Sequence, residues 1–207
     1  MIIQNMEQNK PQIIYIQGGD AFENKEDLYA SLRSRSYDIY APERATWKTT
    51  LFINFADTHF CYRPSMPNPW WANYEAWKIW FEKMVPQFND GLILIGHSLG
   101  GGFLLRYLSE NQLPVLVAQL HLVAPVVDAI ACEDIGEFKI DLATWSGFAT
   151  DIKAVHLWHS SDDTLVPIHH SERFQAVYPA ATLHRFTNRG HFLQESFLEL
   201  EAVIKLA

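Results

Sequence analysis

Leu92-Ile93-Leu94-Ile95-Gly96-His97-Ser98-Leu99-Gly100-Gly101-Gly102 is the stretch that decides the fold. Four consecutive apolar residues have the length of a buried strand, and Leu99 to Ser109 continues with the pattern of a helix. Between them, Gly96 to Gly100 matches G-x-S-x-G, a serine carried on a sharp strand-to-helix turn. The backbone at such a serine is strained. The positions two before and two after it must lack side chains so that strand and helix can approach. The same turn puts Ser98 at a helix N-terminus, where free N–H groups favour a developing oxyanion. A Gly-rich turn with an incidental serine is the plainer reading. The strand directly before the motif and the helix directly after it favour the first.

Outward from this point, short apolar runs alternate with amphipathic segments, which is how a parallel sheet covered by helices on both faces reads. Strands are expected at Gln12–Gln17, His59–Arg63, Leu92–Ile95, Leu116–Val123, Ala154–Trp158 and Thr182–Phe186. Helices are expected at Phe22–Arg35, with Phe22, Leu28 and Leu32 inward, and at Trp70–Val85, with Trp70, Tyr74, Trp77, Phe81 and Met84 as one apolar stripe. Leu99–Ser109, Pro167–Val177 and Gln194–Leu206 supply the others. Thr49 to Phe55 has strand-like propensity, yet Trp47, Leu51 and Phe55 fall at i, i+4, i+8, which favours a helix. Ala124 to Lys153 reads as irregular. No repeat, linker or low-complexity tract divides the chain. The expected fold is therefore one α/β domain over residues 1–207, with three α/β/α layers, about six mostly parallel strands and little or no cap.

A serine hydroxyl needs a base, and the base an orienting acid. After an elbow of this kind the chain order is Ser, then Asp or Glu, then His. His191, in Arg189-Gly190-His191-Phe192, follows the last expected strand at the carboxyl edge of the sheet, the edge that also carries Ser98. The acid should follow the strand Ala154–Trp158, where Asp162 and Asp163 compete. Spacing to Val166-Pro167 favours Asp163 and leaves Asp162 as a turn-forming or solvent-facing carboxylate. Of the remaining histidines, His169 and His170 read as surface residues. His121, His156 and His184 read as strand residues satisfied by neighbours, and His97 as packing beside the site. No pair has the spacing of a metal motif.

Composition bounds the rest. The chain has 207 residues, 48% hydrophobic and 19% charged, the profile of a globular domain. No apolar run approaches the roughly 18 residues of a membrane span. Met1 to Lys10 lacks the basic and apolar regions of a secretory signal, which points to a cytoplasmic protein. Cys61 and Cys132 are too few and too far apart for a disulfide framework or a cysteine zinc site. With 24 acidic against 16 basic residues the formal charge is −8, which disfavours nucleic acid or an anionic membrane as partner.

With these positions identified, the chain resembles the α/β-hydrolase fold and, within it, the small serine hydrolases of the RBBP9/YdeN-like family. The likeness runs through Ile14 to Asp20, Pro64 to Asn68, the aromatic segment Trp77 to Phe81, and Ile95 to Gly101. It continues through Ser161-Asp162-Asp163 with Val166-Pro167 and closes at Gly190-His191-Phe192. The resemblance implies Ser98 as nucleophile, His191 as base, Asp163 as its partner, and an oxyanion hole from the Leu99 and Gly19 amides. Gln17-Gly18 stands where hydrolases often carry His-Gly. Hydrolysis of small ester-type substrates by acyl transfer, with a small-molecule acyl substrate and no cofactor, is what it implies. The segment Pro64 to Trp71 would wall the acyl or alcohol pocket or cover the sheet. An acyltransferase or lyase using the same site, or a protein-binding interaction module that keeps the fold and triad and displays exposed tryptophans, are the alternatives. The oligomeric state is left open.

Overall fold

The structure, a computed structural model, describes residues 10–40, 45–127 and 135–206. The reading of the N-terminal segment before Lys10 and that of Cys132 fall outside the described residues. Among the described residues, six strands form one all-parallel sheet in the order β2-β1-β3-β4-β5-β6. They are β1 (Gln12–Ile16), β2 (Phe60–Tyr62), β3 (Leu92–His97), β4 (Val117–Val123), β5 (Ile152–Ser160) and β6 (Thr182–Phe186). Six α-helices of the described residues flank it: α1 (Lys25–Ser34), α2 (Trp47–Phe55), α3 (Tyr74–Glu82), α4 (Leu99–Glu110), α5 (His169–Val177) and α6 (Leu198–Ile204).

Side chains alternate across the sheet with period two, so each strand feeds two cores. Ile14, Ile16, Leu94, Leu120, Leu122 and Leu157 face the larger one, with the aromatic side of α3 and nearly all of α4. Ile13, Tyr15, Ile93, Ile95, Val123 and Trp158 face the other, against α2 and α6. Phe103 of α4 sits at the centre of the first core, 5.7 Å from Trp77 and 5.5 Å from Phe81 in edge-on contacts. Such ring pairs contribute about 0.5–1.5 kcal/mol each beyond their buried area.

The helical reading of Trp47 to Phe55 holds: Trp47, Leu51 and Phe55 are all buried, the stripe their spacing describes. Other boundaries move for local reasons. Asn24 and Asn73 cap α1 and α3, their side chains accepting the amides of Asp27 and Ala76. The helix expected from Trp70 therefore starts at Tyr74, and Pro69–Trp71 is a separate 3₁₀ turn following a left-handed Asn68. Trp70 leaves the apolar stripe and is 58% exposed, while Tyr74, Trp77 and Phe81 remain in it. Leu32 is likewise exposed, and only Leu28 of α1 is buried. His170 is not a surface residue: it is fully buried, and its Nδ1 accepts the Val127 amide at 3.1 Å. Residues 194–197 precede α6, and the Gln194 carbonyl instead accepts the Trp47 amide.

Candidate active site

Ser98 stands between β3 and α4 with φ 55° and ψ −123°, a conformation that non-glycine residues reach only under strain. Its amide donates to the Val123 carbonyl, and its own carbonyl accepts from Gly101, Gly102 and Val126. Backbone packing explains the glycines. A Cβ at Gly100 would lie 2.4 Å from the carbonyl oxygens of Ile16 and Gln17, and one at Gly96 2.6 Å from that of Gly100. The elbow is thus pressed onto the turn after β1.

Around Ser98 lies a cavity of about 670 Å³ to which Gly18, Gly19, His97, Leu99 and His191 contribute. Val126, Ile135, Leu165 and Val166 give it apolar walls, and Trp70 and Arg35 stand at its rim. Arg35 lies 4.7 Å over the Trp70 ring and pairs with Asp20 at 2.9 Å. The segment Pro64 to Trp71 divides between the two expected roles: Met66 is in the core, while Pro69 and Trp70 line the cavity. Leu99 and Gly19 both line this space, and no hydrogen bond from either amide occurs among the described residues.

His191 and Asp163 are brought together. His191 Nδ1 donates to Asp163 Oδ2 at 2.8 Å, and the carboxylate is wholly buried. The other oxygen of Asp163 accepts the Leu165 and Val166 amides at 2.9 and 3.0 Å. Burial pushes the Asp163 carboxyl up, but the bonds from His191 and these amides outweigh it and hold the group below the usual carboxylate range. With Nδ1 donating, the neutral His191 ring presents Nε2 as an acceptor. Ser98 shares the cavity with His191, but no hydrogen bond joins their side chains among the described residues.

Sequence reasoning missed the framework behind His191. Ser160 Oγ accepts the Arg189 amide at 3.0 Å and donates to Asp162, whose Oδ1 also accepts the Gly190 amide at 3.0 Å. Asp162 is therefore more than a solvent-facing turn residue; it ties the 189–190 loop to the end of β5. Phe192, in a left-handed conformation and fully buried among Phe186 and Phe197, anchors the other side. Trp47 Nε1 donates to its carbonyl at 2.8 Å. His97 Nε2 donates to the His191 carbonyl at 2.9 Å, and the two rings lie 4.8 Å apart. Burial, with the charges of Lys48 and His191 added, holds His97 well below the usual imidazole range. The Ser-x-Asp pair at 160 and 162 was a visible signal for the loop tie; Arg35 carried none.

His121, His156 and His184 form a row across β4, β5 and β6. His121 Nε2 donates to Gln119 and its Nδ1 accepts from Trp158 Nε1. His156 and His184 share a bond of 3.2 Å, and Trp158 stacks on His184 at 3.8 Å. No group of three or more metal-binding side chains occurs among the described residues. No helix among them is long and apolar enough to cross a membrane.

A parallel sheet with a glycine-packed serine elbow at its carboxyl edge defines an α/β-hydrolase fold. Comparison with known proteins narrows this to a small α/β hydrolase, RBBP9/YdeN-like. The chain is 27% identical to serine hydrolase RBBP9 of Rattus norvegicus over 147 residues, 70% of this chain and 76% of the rat protein. The ydeN gene product of B. subtilis superposes with a TM-score of 0.71 at 21% identity, covering 95% of this chain and 98% of the other. A YdeN-like hydrolase from Pectobacterium atrosepticum gives 0.66 at 14% identity, covering 99% and 94%. No protein-family profile matches the chain.

Proposed function

We propose that the protein is a serine hydrolase acting on small ester-type substrates through Ser98, His191 and Asp163. The observation that carries this reading is the 2.8 Å bond from His191 Nδ1 to buried Asp163, made at the wall of the cavity that Ser98 also lines. The likeness to a serine hydrolase supports it.

In the first step Ser98 Oγ attacks the ester carbonyl carbon as His191 Nε2 takes its proton. The oxyanion is stabilised by the Leu99 and Gly19 amides; each such donor is worth ~10²–10³ in turnover. His191 then gives its proton to the departing alcohol, leaving an acyl-Ser98 ester. Water attacks that ester, with His191 again taking the proton and returning it to Ser98 as the acid leaves. Asp163 fixes the His191 tautomer and supports its charged form. No cofactor enters these steps. The apolar walls at Val126, Ile135 and Val166 favour an apolar acyl group.

Turnover of p-nitrophenyl acetate should vanish in Ser98→Ala and in His191→Ala, and a fluorophosphonate should label Ser98. Undiminished rates in either variant would refute the assignment. An acyltransferase would show label and hydrolysis together with faster release to an added alcohol. An interaction module would show neither label nor turnover; the exposure of Trp70, Trp71 and Trp80 is what speaks for it.

A further inference from the structure

A second groove runs between α2 and the edge strand β2, on residues that contribute nothing to the Ser98 cavity. Phe52, Ile53, Ala56 and Cys61 give it an apolar floor, Lys48 and Arg63 border it, and its volume is about 510 Å³. Lys10 donates its Nζ to the carbonyl of Ala56, one of the lining residues, at 2.9 Å. Among the described residues no carboxylate lines this groove, and no ion pair reaches Lys10, Lys48 or Arg63. In a chain of net charge −8, two lining cations with no carboxylate beside them among the described residues are unexpected.

Lys48 is the telling residue. Its side chain is half-buried, with Nζ 5.7 Å from the Trp47 ring centroid and 5.9 Å from that of Tyr15. A long basic side chain ordinarily extends its charge into water; here the charge lies over two buried rings and within reach of the Arg63 charge. Burial, and after it the Arg63 charge, pull the Lys48 amine down to about 8. An anion set between Lys48 and Arg63 would favour the charged form of both.

We propose that this groove binds a phosphate monoester with a small apolar body, its dianion set between Lys48 and Arg63 and its body over Phe52 and Ile53. A phosphate monoester carries a charge of about −1.5 to −2 near neutral pH, which answers both cations; a carboxylate answers one. The guanidinium offers paired N–H donors in the geometry phosphate oxygens accept, and the Thr49 hydroxyl adds a donor at the same lining.

The test is a titration of the ¹⁵N-labelled protein with phenyl phosphate, with benzoate and inorganic phosphate as separate arms, followed by amide shifts. Saturable shifts over residues 48–56 and 61–63 are expected, tighter for phenyl phosphate than for inorganic phosphate and at least tenfold tighter than for benzoate. Lys48→Met and Arg63→Gln should each weaken binding at least tenfold, and Arg33→Gln, on exposed α1, should not. If Lys48→Met loses its native amide dispersion, Lys48→Gln is read in its place. No saturable shift, equal affinity for benzoate, shifts confined to residues 18–19 and 98–99, or binding indifferent to both substitutions would each overturn the proposal. Ser98→Ala should give the wild-type titration, so the outcome is independent of the hydrolase reading.

Discussion

Gly100→Ala tests how tightly the elbow is seated. The added methyl would lie 2.4 Å from two carbonyl oxygens, those of Ile16 and Gln17, where ordinary contact begins near 3.4 Å. Relief needs about 1.0 Å (3.4 − 2.4), and because both obstacles are backbone no rotamer change supplies it. The start of α4 must therefore back away from the turn after β1, separating the Leu99 amide from that of Gly19. A displacement of ~1 Å at a reacting centre costs on the order of 10²-fold, and loss of one oxyanion donor ~10²–10³-fold. Overpacking itself costs about 1–3 kcal/mol, or roughly 2–12 °C in Tm for a chain of this length. The assay is kcat/KM for p-nitrophenyl acetate beside thermal unfolding by circular dichroism. Gly147→Ala is the control: its Cβ meets nothing within 4 Å, so only its φ of +115° is strained, and kcat/KM should not change. A folded Gly100→Ala with wild-type kcat/KM would show that the donors do not depend on this contact.

Asp163→Asn should lower kcat by roughly 10³–10⁴, because the amide can force the wrong His191 tautomer. Asp162→Asn, which weakens the ties to Ser160 and Gly190 but leaves the His191–Asp163 bond, should cost about tenfold; the reverse ranking transfers the role to Asp162. Acid should destabilise the fold from pH 6.5 downward. His97 and His121 have folded pKa values well below the ordinary one and His156 about 4. The unfolded chain thus binds protons that the fold refuses, and stability present at pH 7 is lost as pH falls. Each such ring contributes up to ~1.4 kcal/mol per pH unit, so urea midpoints that do not move between pH 7 and 5 would contradict the burial argument. Lys48, held at about 8 against an ordinary 10.5, acts in the same sense in a higher window: its charged form is disfavoured in the fold, so stability rises between pH 8 and 10.5. Lys48→Met should raise stability at pH 7 by about 1 kcal/mol, discounted for partial solvent screening, and abolish that rise; an unchanged Tm at both pH values would sink this account.

The sheet and the elbow were legible because burial and chain reversal leave marks on the sequence. Leu92 to Ile95 could only be a covered strand, and the stripe Trp47, Leu51, Phe55 resolved a segment whose propensities pointed elsewhere. The caps at Asn24 and Asn73 were overlooked, which let α1 and α3 be drawn too early. Trp70 reads as part of the stripe of α3 because hydrophobicity says nothing of a left-handed residue two positions before it. His170 reads as exposed because it falls in the first turn of an expected helix. What hides it is packing beside Val127, forty-three residues away in sequence, and no local pattern encodes that. The His191 and Asp163 pairing followed from chain order, whereas the Arg35 and Trp70 rim depends on where two separate segments meet.

Trp47 and Lys48 are adjacent residues on the first turn of α2, one bonded to the carbonyl just past His191 and the other bordering the far groove. Any occupant that tilts this turn is therefore felt at both places. Thermodynamic reciprocity then demands symmetry: a ligand in the Ser98 cavity must change the groove's affinity by the same factor that a groove ligand changes the cavity's.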